Sequence, residues 1–305
     1  MQALVENLVR RSCPVCRNED ESRIFAPQSI DLKKLDEFAF ASRKLPENMH
    51  YRLVECPSCD LLYVNPAPRL DAIAKAYVEA SYDSSEEAQL ACITYDRILS
   101  QVVGQLPDLI GALDIGTGNG TFLKSFVGKG FTNIEGVEPS FAPIVAADPD
   151  IAPLIKQRLF AACDYQKDSF SLISCFQTIE HLYNPMTVVE DSHSLLKPGG
   201  ALILVGHNRR ALSAKILGMK SPIFDIEHMQ LFSPKSMKRM LEQVGFKQIR
   251  VFGVVNHYPI HYMAKLFPLP VQFKKKLLPI LKDSAIGKIK LSLPLGNIAA
   301  IGYRA

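Results

Sequence analysis

No uninterrupted apolar run in this chain reaches the length needed to cross a bilayer, so no transmembrane helix is expected. The first residues also lack a secretory-signal pattern, because Glu6 interrupts the short apolar stretch there. With neither feature present, the cytoplasm is the expected compartment. Charge of one sign is scarce too. The net value of +4 over 305 residues is mild, whereas a dedicated nucleic-acid reader carries a stronger basic bias. Nucleic acid is therefore not an expected partner. Internal repeats and low-complexity tracts are missing as well. What is present is ordinary globular material, 48% hydrophobic and 22% charged. Its length suits one large domain with a smaller unit attached.

Cysteine is sparse, and its seven residues divide into two kinds. Cys92, Cys163 and Cys175 are scattered and read as small buried hydrophobes. Cys13-Pro14-Val15-Cys16 and Cys56-Pro57-Ser58-Cys59 are instead a matched pair of knuckles. Two Cys-x-x-Cys turns can present four thiolates to one tetrahedral zinc ion, the ligand set of a zinc ribbon. Disulfides and a redox pair are the other readings. A reducing compartment argues against the first, and neither knuckle opens a thioredoxin-like helix. The knuckles stand further apart than is common, so an insert of about thirty residues must loop out between them. Four thiolates leave no open coordination position, which makes the expected site structural.

The run Ala112-Leu113-Asp114-Ile115-Gly116-Thr117-Gly118-Asn119-Gly120-Thr121-Phe122-Leu123 reads as a strand, a tight glycine turn and a helix start. Glycine lets such a turn close against a ligand that a Cβ would keep away. The helix start then offers amides to an anionic group. A dinucleotide fingerprint would place its third glycine at position 121, where this chain has Thr121. Further on, Asn133-Ile134-Glu135-Gly136-Val137-Glu138-Pro139-Ser140 reads as a second strand. It ends in a carboxylate able to accept both hydroxyls of a ribose.

Together these features resemble motif I and the following acidic position of class I S-adenosylmethionine-dependent methyltransferases. The resemblance continues through Ser169–Gln177, similar to the family's fourth strand, and through Thr178-Ile179-Glu180-His181-Leu182-Tyr183-Asn184-Pro185. Leu195-Leu196-Lys197-Pro198-Gly199-Gly200 then looks like the turn before the fifth strand, Ala201–Val205. The family often carries an aspartate where this chain has Ser171. The resemblance implies an α/β fold: a Rossmann-like, seven-stranded doubly wound sheet with the last strand antiparallel, plus a small N-terminal zinc ribbon. S-adenosylmethionine would be the cofactor. Asp114, Gly116, Gly118, Gly120, Glu138 and Gln177 would contact it, with Asp164, or the backbone beside Cys163, at the adenine.

Prolines after Cys59-Asp60-Leu61-Leu62-Tyr63-Val64-Asn65-Pro66 mark a boundary. The expected organisation is a ribbon over 1–68, a helical lid over 69–105 carrying Tyr77, Tyr82 and Tyr95, and a methyltransferase domain over 106–305. That domain should carry insertions at about 207–232 and 255–296. Ser233-Pro234 starts a helix that Gly245 ends. The sixth strand is expected near 248–254 and the last over 297–303.

Methyl transfer is an in-line displacement, so the protein chiefly aligns the acceptor and removes its proton. Histidine titrates in the range such a base requires. His181, His207 and His228 fall at the carboxyl ends of strands or in the loops beyond them, where ligands of such sheets bind. His193 falls inside a helix and reads as surface or helix-end. Asp225-Ile226-Glu227-His228-Met229-Gln230-Leu231-Phe232-Ser233-Pro234 resembles an element of sugar C-methyltransferases that bear an N-terminal zinc domain. Those enzymes usually place a histidine or tyrosine just before the glutamate, where this chain has Ile226. O-methylation of a carbohydrate-related hydroxyl, with His228 or His181 as base beside Glu227, is then the simpler expectation. An RNA or protein methyltransferase, a sugar C-methyltransferase and a non-catalytic cofactor binder are the alternatives. The insertion near 255–296 mixes apolar residues with lysines. That pattern suits an anionic membrane surface or a lipid-linked substrate, and equally an amphipathic helix packed on the domain or in a homodimer interface.

Overall fold

The computed structural model describes residues 4–19, 23–34, 39–40, 48–82, 85–267 and 269–305. Parts of the loop between the knuckles and Pro268 lie outside the described residues. Three short strands, β1 (Ile24–Ala26), β2 (Leu53–Glu55) and β3 (Leu62–Val64), open the chain. Helices α1 (Leu70–Val78) and α2 (Ser85–Ser100) follow. Alternation then begins with β4 (Ile110–Ile115), α3 (Leu123–Gly128), β5 (Thr132–Glu138), α4 (Phe141–Val145) and β6 (Ile155–Gln157). It continues with β7 (Phe170–Phe176), α5 (Pro185–Leu195), β8 (Leu196–His207) and α6 (Leu212–Leu217). The remainder is β9 (Gln230–Leu231), α7 (Pro234–Val244), β10 (Lys247–Pro259), α8 (Ile260–Leu266), α9 (Val271–Asp283), α10 (Ala285–Lys288) and β11 (Lys290–Tyr303).

The large sheet has the order β10-β11-β8-β7-β4-β5-β6. Only β11 runs against its neighbours, as the sequence leads one to expect. β7 is buried along its whole length, which its unbroken Phe-Ser-Leu-Ile-Ser-Cys-Phe run permits because helices cover both faces. Side chains alternate accordingly. Leu113, Ile173, Cys175, Leu202 and Ala300 face one core; Ala112, Leu172, Ile203 and Ile301 face the other. The strand order reverses at β4, so the loops after β4 and β7 open a crevice at the carboxyl edge.

α7 forms as its sequence dictates. Ser233 Oγ accepts the amide of Ser236, Ser236 Oγ accepts the amide of Ser233, and Gly245 closes the helix at φ +103°. The last two strands differ from expectation in being longer. They form a hairpin that runs beyond the sheet, pairing Asn256 with Leu293 and Pro259 with Lys290. The register slips where Pro294, which has no amide to give, and Gly296 at φ +116° fall in β11. Much of the expected insertion is therefore hairpin, with α8, α9 and α10 at its tip. The second insertion likewise holds structure: β9 pairs with β3 and completes a small sheet of order β1-β2-β3-β9. Among the scattered cysteines, Cys175 is buried and Cys92 half-buried, but Cys163 is exposed on a short 3-10 turn, contrary to its reading as a core residue.

Candidate active site

The turn after β4 is held by acids on both sides. Glu138, at the end of β5, accepts the Gly118 amide through Oε2 at 3.0 Å and the Ser140 amide through Oε1 at 2.9 Å. Its burial raises its pKa. Asp114 accepts from Ser174 Oγ at 2.6 Å across the β4–β7 pair, and burial, with Glu138 nearby, lifts it to about 6. Gly116 and Gly118 adopt φ +72° and +57°. A Cβ on Gly116 would collide with Thr178, whereas one on Gly118 would meet open space. Gly118 therefore presents bare backbone to the crevice. α2 roofs the turn: Tyr95 stacks on Phe176 at 4.4 Å between ring centroids and meets Phe122 edge-on. α1 closes the side, where Ser140 Oγ donates to the Tyr77 carbonyl.

Asp114, Gly116, Thr117, Gly118, Asn119 and Gln177 line one part of the crevice. Gly116, Gly118, Glu138, Leu159, Phe160 and His181 line an adjoining cavity of about 210 Å³. Gly120 faces inward, under Ile151 and Ile155. Asp164 is not brought to this lining. Its carboxylate pairs with Arg158 at 3.3 Å, which also binds Glu135 at 2.9 Å.

Beyond Gln177 lies a cavity of about 410 Å³. His181, His207 and His228 converge there, with ring centroids 4.9 Å apart for each pair involving His228. Each ring is oriented by an oxygen that can only accept. His228 Nδ1 donates to the Ile223 carbonyl at 2.8 Å, His181 Nδ1 to the Glu227 carbonyl at 3.2 Å, and His207 Nδ1 to Asn297 Oδ1 at 3.1 Å. The proton is thus fixed on Nδ1 and the lone pair on Nε2. Glu227 Oε1 lies 3.8 Å from His228 Nε2, where a carboxylate stabilises the protonated ring. Tyr77 donates to the Glu227 carbonyl at 3.0 Å. Its hydroxyl is kept protonated by burial and by the Glu227 and Glu180 carboxylates. Glu180 is fully buried and accepts the His207 amide at 3.2 Å. Gln230 ties the loop after β7 in place by donating to the Ile179 and Leu182 carbonyls at 2.9 and 2.7 Å.

Sequence reasoning did not find Asn256, Tyr258, Tyr262 and Asn297, which line the same cavity from the extended hairpin and α8. Val254-Val255-Asn256-His257-Tyr258 has no apolar/polar alternation that would have marked the strand as continuing to the cavity. His193 stays out of the site, packed edge-on against Phe246.

The four knuckle cysteines meet. Cys13 and Cys59 sulfurs are 3.5 Å apart, Cys16 and Cys56 sulfurs 3.4 Å, and all four lie within 4.8 Å of one another. A tetrahedron with 2.3 Å metal–sulfur bonds has edges of about 3.8 Å, so the cluster is compatible with a zinc ribbon. The Cys13 thiol is held down to about 5 by its hydrogen bond with Cys59, whose own thiol is pushed up. Arg11 fastens this unit to the rest, donating to the carbonyls of Val64 at 2.9 Å, Tyr183 at 3.0 Å and Met229 at 2.9 Å. Burial lowers its guanidinium to about 10, still cationic at neutral pH.

A methyltransferase-domain family model matches residues 86–251, more than half of the chain. The chain belongs to the class I S-adenosylmethionine-dependent methyltransferases. Among curated relatives of this methyltransferase, the ubiquinone biosynthesis O-methyltransferase of Pseudomonas aeruginosa strain UCBPP-PA14 is 27% identical over 119 residues. That match covers 35% of this chain and 49% of that protein, about half its length. The same-named enzyme of Aeromonas salmonicida is 25% identical over 210 residues, covering 65% of this methyltransferase and 87% of the relative. Among solved structures, the YcgJ protein of Bacillus subtilis aligns with a TM-score of 0.49 at 16% identity, over 68% of this chain and 97% of its own.

Proposed function

We propose that the enzyme methylates a hydroxyl oxygen of a small, largely apolar acceptor bound among His181, His207 and His228. The observation that carries this reading is the position of Gln177, which lines both parts of the cofactor crevice and the histidine cavity. The two compartments therefore meet at Gln177, and His181 and Glu227 also line both sides of the join. S-adenosylmethionine supplies an electrophilic methyl group when bound. Glu138 would accept its ribose hydroxyls, the Gly116–Gly118 backbone would admit its methionine end, and Asp114 would orient the turn or face the amino group.

On the acceptor side, His228 Nε2 takes the hydroxyl proton, and Glu227 steadies the resulting imidazolium. His181 and Tyr77 hold the Glu227 backbone in place. The sequence led to a carbohydrate-related acceptor. The lining also suits an acceptor with an apolar or aromatic body, since Ile216, Leu217, Ile223, Tyr258, Tyr262, Met263, Leu266 and Phe267 form a large share of its wall beside the polar groups. The O-methyltransferase names of the curated relatives agree with oxygen as the methylated atom. Cys13, Cys16, Cys56 and Cys59 would hold a structural zinc ion.

Incubation with methyl-labelled S-adenosylmethionine and fractionated extract, followed by mass spectrometry, should reveal a labelled ether. His228→Ala should lower turnover by about 10²-fold or more while leaving cofactor affinity within about twofold by calorimetry. Wild-type turnover in that variant would remove His228 from the role of base.

A further inference from the structure

The hairpin tip exposes several large apolar side chains close together. Phe267 is 55% exposed, Phe273 53%, Ile280 70%, Ile286 62% and Ile289 51%. Large apolar side chains exposed singly are ordinary, but a contiguous group marks a surface that meets something. Lysine is interleaved with them. Residues 255–296 hold seven lysines and a single acid, Asp283, a net charge of +6. The whole chain is only +4, so the remaining residues are together slightly acidic.

The arrangement is that of a helix lying on an interface. On α9, Phe273, Lys276 and Ile280 share one face by their spacing. Lys275, Lys276, Lys288 and Lys290 are exposed beside the apolar group. Two other lysines are engaged within the fold: Lys274 donates to the Lys265 carbonyl at 2.6 Å, and Lys282 pairs with Glu86 at 3.4 Å. The apolar surface is also continuous with the histidine cavity. Phe267 and Ile216, the latter 72% exposed on α6, belong to both.

We propose that residues 255–296, with the exposed side of α6, form a docking face for an anionic lipid bilayer, onto which the histidine cavity opens. Charge selects this occupant. A second copy of the chain seated symmetrically on the same face would set the lysines against one another. A membrane carrying anionic headgroups attracts each of them while its acyl region takes the phenylalanines and isoleucines. The bilayer's relevance to catalysis rests on the acceptor reading above, but the docking face itself does not.

The chain has no tryptophan, so Phe273→Trp and Ile280→Trp each place a unique reporter on the face. With vesicles of phosphatidylcholine plus phosphatidylglycerol, emission should shift to the blue and be quenched by brominated acyl chains. Co-sedimentation should be at least about tenfold stronger than with phosphatidylcholine alone and should fall with added salt. Lys275→Glu with Lys276→Glu should abolish it, and Phe273→Ser with Ile280→Ser should weaken it. Calorimetric binding of S-adenosylhomocysteine should be unchanged in each variant, which shows the fold to be intact. Equal binding to both vesicles, absence of binding, or an unquenched reporter would overturn the proposal. So would a dimer, seen by light scattering, that the serine changes dissociate. Vesicle binding without methyl transfer would uphold the docking face and remove the acceptor reading; transfer by a protein indifferent to vesicles would do the reverse.

Discussion

Asp114 is a carboxyl group whose burial has a readable cost. Below its ordinary value of 3.8 it is protonated whether the chain is folded or not. Between there and about 6 the unfolded chain ionises first, so stability declines with rising pH across that window. A displacement of that size corresponds to roughly 3 kcal/mol at neutral pH. Asp114→Asn should therefore melt higher than the parent at pH 7 without cofactor, and the advantage should vanish near pH 4. The same variant should bind the cationic cofactor more weakly, since the negative charge facing it is gone. At Gly118, φ +57° with open space at the Cβ position makes alanine a purely conformational change. Gly118→Ala should cost about 1–2 kcal/mol and weaken cofactor binding measurably by calorimetry. Much of this was readable from residue types: acid, glycine turn, second acid. The fate of Asp164 was not. Its proximity to the fourth strand pointed to adenine, whereas in the structure its carboxylate pairs with Arg158, six residues upstream.

Among the elements, α7 was legible to its ends because capping is local chemistry. Ser233→Ala removes one half of a reciprocal cap and should lower stability by about 1 kcal/mol in denaturant unfolding. Six of the seven strands were legible from their apolar runs, and the direction of the last followed from the family resemblance; β6, three residues long with two of them exposed, gave no such run. The strand lengths were not legible. β10 and β11 extend well beyond the sheet, where neither covers the other's sequence signal and Pro294 reads as a strand breaker until a register slip accommodates it. The histidine cavity takes one wall, Asn256, Tyr258 and Leu295, from that extension. This is why Asn256, Tyr258 and Tyr262 escaped a reading that located His228 and Glu227.

At the scale of the whole molecule, the cysteine unit and the catalytic sheet are not separable bodies. Cys13, Cys56 and Cys59 belong to the same buried cluster as Ile173, Leu202 and Met237. Arg209, itself nearly inaccessible, pairs with Glu55 at 2.8 Å and Asp60 at 3.4 Å across the join. If the four thiolates hold zinc as proposed, its removal should accordingly lower the melting temperature of the entire chain in one cooperative transition. Cys56→Ser should reproduce the effect with zinc content falling from one per chain to none. Two transitions in calorimetry, with the larger unmoved by chelator, would show the units to be independent.

β9 is only two residues long, and the residue that separates it from His228 is Met229, whose amide bonds to the Glu180 carbonyl and whose own carbonyl accepts the Val64 amide. A tether so short cannot slacken at one end without displacing the other. On the reading proposed above, chelator should then erode turnover, because His228 hangs from the small sheet that the four thiolates brace.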